Sequence, residues 1–108
     1  GGSSNPLALY KGQVKLKIDS NWKIPLGIEH KMKIQVAFFI FSEGNIEKPQ
    51  LKISSGDDQL DGMAIKAILD SSPFPKFSKE LIDYLKEPNL YISMRFKLTP
   101  NAKNEKPY

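Results

Sequence analysis

The stretch from Ser54 to Pro75, Ser-Ser-Gly-Asp-Asp-Gln-Leu-Asp-Gly-Met-Ala-Ile-Lys-Ala-Ile-Leu-Asp-Ser-Ser-Pro-Phe-Pro, limits what this chain can fold into more than any other. A glycine turn leads into an aspartate-rich helix start, and Pro73 and Pro75 stop the helix. Leu60, Ala64, Ala67 and Ile68 fall at i, i+4, i+7 and i+8, with Met63, Ile65 and Leu69 beside them, so residues 57–69 form a helix with one broad apolar face. A face that wide must be covered. Strand-like runs at Lys31–Phe41 and Ile46–Ile53 before it, and at Leu90–Leu98 after it, supply a sheet to cover it. The fold class expected is therefore α+β: a three-stranded antiparallel sheet with two main helices packed on one face, in the order α-β-β-α-β.

The first helix is expected from Pro6 to Trp22. Asn5 is placed to cap it, Pro6 suits its first position, and Leu7, Tyr10, Val14, Ile18 and Trp22 recur at helical spacing. Gly12 weakens the segment, so its stability depends on packing that stripe. Trp22, where Pro25 and Gly27 stop the helix, reads as a core anchor folding the helix onto the sheet.

In the first strand Met32, Ile34, Val36, Phe38 and Ile40 alternate with Lys31, Lys33 and Gln35, and from Ala37 onward Phe39 and Phe41 make the other face apolar as well. Such a strand is central, or carries a patch that another surface covers. Ser42-Glu43-Gly44-Asn45 is the hairpin turn. The second strand contains Pro49, which has no N–H to give a ladder, and so belongs on an edge. Pro73-Phe74-Pro75-Lys76-Phe77 reads as an extended connector across the core, and Ser78 as the cap of a short helical turn through Leu81, Tyr84 and Leu85. In the last strand Leu90, Ile92, Met94, Phe96 and Leu98 point inward while Tyr91, Ser93, Arg95 and Lys97 point outward.

At 108 residues, with 40% hydrophobic and 26% charged, the chain has one core's worth of material. Residues 1–4 read as a cloning scar, 5–98 as the domain and 99–108 as a flexible polar tail. The net charge of +4 does not make a nucleic-acid binder, because Arg95 is the one arginine among sixteen basic residues and the lysines are spread along every element. Without cysteine there is no thiolate site, and His30 has no partner that would make it a general base. Asp57, Asp58 and Asp61 fit a helix N-terminus, whose free N–H groups they satisfy, better than a calcium loop. No catalytic residues, metal or cofactor are expected.

Asn21-Trp22-Lys23-Ile24-Pro25 after an amphipathic helix, Glu43-Gly44-Asn45-Ile46 at the hairpin, Ser54-Ser55-Gly56 followed by Leu60-Asp61, Ala67-Ile68, Ser72-Pro73-Phe74-Pro75 and a final Met94-Arg95-Phe96-Lys97-Leu98 form an ordered set. Together, over about residues 7 to 98, they resemble the C-terminal domain shared by the TonB and TolA energy transducers. The Trp-x-x-Pro after the first helix is closer to the TolA branch, while the TolA cysteine pair is missing. The resemblance implies a periplasmic adaptor at the end of a stalk anchored in the inner membrane, gripping TolB or related envelope proteins, colicins or filamentous phage coat proteins, or, on the TonB side, the TonB box of outer-membrane transporters.

With the first strand central and the second on a blunted edge, the last strand supplies the other edge. Leu90, Tyr91, Ile92, Ser93, Met94, Arg95, Phe96 and Lys97 are the expected docking segment, to which a partner adds as a strand. Two other readings stay open: a weak homodimer through Phe39, Phe41 or the same edge, and a small ligand-binding domain with a gap between Trp22 and Phe74.

Overall fold

Helix α1 spans Pro6–Asn21 and starts as its sequence requires, with the Asn5 side chain accepting from the Ala8 N–H at 2.7 Å and Pro6 at the first position. Residues 5–100 are described in this computed structural model. The expectations of a cloning scar at 1–4 and, from residue 101 on, of a flexible tail at 99–108 fall outside the described residues. After α1 come β1 (Met32–Phe41), β2 (Gln50–Ile53), α2 (Asp58–Ser71), α3 (Lys79–Leu85) and β3 (Asn89–Leu98). The three strands form one antiparallel sheet in the order β2-β1-β3, with β1 central.

The core lies between one face of the sheet and the helices. Ile34, Val36, Phe38 and Ile40 of β1 and Leu90, Ile92, Met94, Phe96 and Leu98 of β3 face Tyr10, Val14 and Ile18 of α1 and Leu60, Ala64, Ala67 and Ile68 of α2. Trp22 is half-buried and packs at a tilt against Phe96, ring centroids 4.7 Å apart, while Phe74 is buried and stacked on Phe38 at 6.0 Å. Each of the two aromatics proposed to flank a ligand gap is thus packed on another ring. The α1 and α2 helices are tied by Ser71, fully buried, whose Oγ donates to the Ala67 carbonyl at 2.7 Å and accepts from Asn21 Nδ2 at 2.9 Å.

Three sequence expectations are revised. The second strand begins at Gln50, not Ile46: Ile46 makes only an isolated bridge to Ile40, and the ladder resumes once the chain has passed Pro49, which has no N–H to contribute. The turn after Ser78 is a true third helix, α3, with Ser78 Oγ accepting from the Leu81 N–H at 3.1 Å and Lys86 closing it in the left-handed region, φ 61°. Leu69, expected beside the apolar face of α2, is 48% exposed.

The Pro73–Phe77 connector is extended, as its prolines dictate, and is laced to the hairpin turn. Phe74 N–H donates to the Gly44 carbonyl at 2.8 Å and Phe77 N–H to the Ser42 carbonyl at 2.9 Å. From the helix side, the Tyr10 hydroxyl donates to the Pro75 carbonyl at 2.7 Å and its ring meets Phe77 edge-on. Burial pushes the Tyr10 phenol up to about 12.

Candidate partner-binding edge

The register of β1 against β3 runs without a break from Met32 opposite Leu98 to Phe41 opposite Asn89. Backbone groups along a strand point alternately to its two neighbours. Phe41 N–H donates to Asn45 at 2.8 Å and the Phe39 carbonyl accepts from Glu47 at 3.0 Å, so the odd-numbered residues of β1 face the β2 side. Ser42 N–H donates to the Pro88 carbonyl at 3.0 Å, which sets the even-numbered series toward β3. In β3, Leu90, Ile92, Met94, Phe96 and Leu98 therefore pair with β1, and Tyr91, Ser93, Arg95 and Lys97 aim N–H and C=O away from the sheet.

The eight candidate residues thus divide into two sets with different roles. Leu90, Ile92, Met94 and Phe96 are buried and their backbone groups are used inside the sheet. Tyr91, Ser93, Arg95 and Lys97 are exposed, and theirs are the backbone groups at the free edge. Among the described residues these groups meet no other strand. The opposite edge differs: β2 is four residues long, is preceded by Pro49, and its pairing with β1 shifts register between Gln35 and Val36.

The sheet face away from the helices carries Gln35, Phe39, Tyr91 and Ser93. Gln35 Nε2 donates to Ser93 Oγ at 2.7 Å, and Phe39 and Tyr91 pack edge-to-face at 5.2 Å with 38% and 51% of their surfaces exposed. The both-faced apolar character of β1 thus has two sources, a central position and an exposed aromatic pair.

Sequence reasoning missed two groups, one beside the β3 edge and one away from it. Lys11 and Lys15 of α1 line a groove of about 180 Å³ with Val14, Ile92, Ser93 and Met94, because α1 crosses the inner face close to β3. Their spacing of four marks them as neighbours on one helix face, but nothing local reveals which strand they overlie. The second is Asp61, buried at the start of α2. Burial pushes its carboxyl up, and donors from Ser54 Oγ, the Ser55 N–H at 2.9 Å and Ser55 Oγ at 2.8 Å outweigh that, holding it below the usual carboxylate range. Asp57, by contrast, has the expected role and caps α2, accepting from Gln59 and Leu60. Among the described residues no group of three His, Cys, Asp or Glu side chains could hold a metal ion.

This arrangement has relatives. In a comparison of solved structures, TolAIII bound to a peptide derived from the N-terminus of TolB superposes with a TM-score of 0.61 at 18% identity, over 89% of this chain and 77% of that one. The NMR solution structure of the Helicobacter pylori TonB-CTD gives 0.65 at 20% identity, over 94% and 87%. At such identities the likeness is one of fold. No curated protein matches the chain in sequence. The family described as TonB C terminal matches residues 7–87, which run from α1 past the end of α3. On that match the chain belongs to the TonB C-terminal domain family.

Proposed function

We propose that this domain is the partner-gripping end of a TolA-like envelope energy transducer, working in the periplasm, and that it takes an extended segment of another envelope protein as an added strand beside β3. The observation that carries this reading is the row of unshared backbone groups at Tyr91, Ser93, Arg95 and Lys97, opposite an edge blunted by Pro49. The structural neighbour in complex with a TolB peptide supports a TolB-like partner; colicin or phage coat segments are the other guests that the sequence resemblance implies. The likeness to a TonB-CTD keeps the TonB box of outer-membrane transporters as the alternative.

In this role the domain performs no chemistry of its own. A stalk anchored in the inner membrane would deliver force, and hydrogen bonds arrayed along a strand and loaded together in shear would carry it to the partner. Amide hydrogen exchange with and without a TolB N-terminal peptide tests the reading. The expected result is alternation: the amides of Tyr91, Ser93, Arg95 and Lys97 gain protection while Ile92, Met94 and Phe96, already paired to β1, change little. Protection gained on β2 or α1 with the β3 amides unaltered would falsify the edge model.

The exposed Phe39–Tyr91 pair favours a second reading, self-association through the outer sheet face. Sedimentation at increasing concentration decides it: a dimer abolished by Phe39→Ser supports this reading, and a monomer at all concentrations removes it.

A further inference from the structure

The surface on either side of the free edge carries cations and no lining carboxylate. On the helix side, the groove between α1 and β3 has Lys11 and Lys15 at its rim and Val14, Ile92 and Met94 for walls. On the outer side Lys33 and Lys97 stand opposite each other in register, with Arg95 one outward position further along β3. The basin around them, about 770 Å³, is also lined by His30 and Lys31 and by no acidic side chain. Like charges placed opposite each other on neighbouring strands destabilise a sheet. Lys15 is held by Asp19 at 2.7 Å, but Lys11, Lys33, Arg95 and Lys97 have no ion pair among the described residues.

We infer that the segment accepted by this edge is acidic and carries one apolar side chain at its centre. The inference rests on the edge-docking reading and specifies the chemistry of its partner. A strand added outside β3 turns alternate side chains to the same two faces as β3 does. The guest residue that lies beside Ile92 and Met94 on the helix side enters the groove, whose 180 Å³ is the right scale, since a cavity of about 150 Å³ holds a benzene-sized group. Its neighbours two residues away on that face lie roughly 7 Å to either side. Those two positions are roughly 14 Å apart, and Lys11 and Lys15 rise only roughly 6 Å apart along α1, so each lysine reaches its position by extending its long stem outward from the groove rim. The intervening guest residues face the other way, beside Arg95 and Lys97. Carboxylates there form charge-assisted hydrogen bonds and relieve the crowding of Lys33 against Lys97. A second copy of this chain is a poor guest, because pairing β3 with β3 sets Arg95 and Lys97 against the same cations.

The test uses the chain as it stands and three short Thr-rich peptides: one with a central Leu flanked by Glu, one with Lys for every Glu, and one acidic with Ser for the Leu. The acidic Leu peptide should bind at least about tenfold tighter than either other, with the preference shrinking as salt rises. In Lys11→Glu/Arg95→Glu/Lys97→Glu, with folding checked by its melt, the preference should invert toward the basic peptide. Equal binding of acidic and basic peptides, or no binding of the acidic one at low salt, overturns the inference. If charge is indifferent yet the Tyr91, Ser93, Arg95 and Lys97 amides are protected, edge docking stands and only the partner chemistry is wrong. If the acidic peptide binds and protects residues away from β3, edge docking fails and this inference with it. Phosphatidylglycerol vesicles that displace the acidic peptide without protecting β3 would assign the cations to a lipid surface and overturn it too.

Discussion

The Gly44 carbonyl accepts a hydrogen bond from Phe74 N–H at 2.8 Å, and a Cβ placed on Gly44 would lie 2.0 Å from the Phe74 carbonyl oxygen. The hairpin turn and the Pro-Phe-Pro connector, thirty residues apart in sequence, therefore touch backbone to backbone. With φ at +95°, Gly44 is also in a region that side chains strain to enter. Gly44→Ala should cost about 2 to 4 kcal/mol in urea unfolding. Gly12→Ala, in α1 with nothing within 4 Å, should instead stabilise by about 0.5 to 1 kcal/mol. Equal midpoints for the two variants would show that the clasp is not closed in solution.

Phe74 and Trp22 should differ on truncation. Phe74 is buried, so Phe74→Ala should cost about 3 to 5 kcal/mol; Trp22 is half-buried at the end of α1, and Trp22→Ala should cost less, about 2 kcal/mol. Denaturant unfolding of the two variants orders them, and a larger loss at Trp22 would contradict the packing described.

Much of this fold could be read from residue order, and the exceptions share a cause. The α1 and α2 periodicities, the caps at Asn5, Asp57 and Ser78, and the strict alternation of β3 are local, and apart from Leu69 the side chains that define them met the environment their spacing required. The late start of β2 was legible in principle, since Pro49 bars a ladder bond, yet the apolar run from Ile46 masks it. The Gly44 clasp, the seat of Asp61 between Ser54 and Ser55, and the position of Lys11 and Lys15 over β3 are products of how distant elements meet. No local pattern encodes a helix crossing angle, so the helix half of the candidate site was hidden while its strand half was visible.

Asp61 gives the domain an acid-sensitive joint between β2 and α2. Its carboxyl is lowered in the folded state, so the stability it contributes is fully present above the ordinary carboxylate value of about 4 and is lost as pH falls through the folded value. Asp61→Asn should cost about 1 to 3 kcal/mol at neutral pH and flatten the dependence of the urea midpoint on pH below about 4. An unchanged acid limb would mean that other carboxylates dominate it.

Tyr10 acts at the alkaline end. Its phenol is raised to about 12, so the folded chain holds that proton after the unfolded chain, near 10, has released it. Stability from this source is complete below about 10 and declines as pH rises toward 12. Tyr10→Phe should remove that decline and, by leaving the Pro75 carbonyl without its donor, cost about 1 kcal/mol at neutral pH. Midpoints measured across the alkaline range in both chains check it.

Proline placed along β3 distinguishes its two sets of amides. Ser93→Pro removes an N–H aimed away from the sheet, so the fold should lose little while peptide binding falls about tenfold or more. Met94→Pro removes a bond to β1 and should unfold the domain or lower its midpoint sharply. Ser93→Ala, which gives up only the exposed bond from Gln35, should leave both nearly unchanged. Calorimetry paired with thermal melts separates these outcomes, and a Ser93→Pro variant that binds like the parent would contradict the assigned amide directions.

The shortness of β2 also limits numbers. A sheet with two open sides can recruit copies of itself without end, each newcomer offering the next a place. Here one edge is a four-residue strand behind Pro49, so two copies meeting through β3 would leave only these short, blunted edges for a third. A guest strand brings its own far side, which belongs to the guest and not to this chain. If the proposed docking at β3 holds, the domain is a hook for a single catch, because its other edge is a four-residue strand behind Pro49.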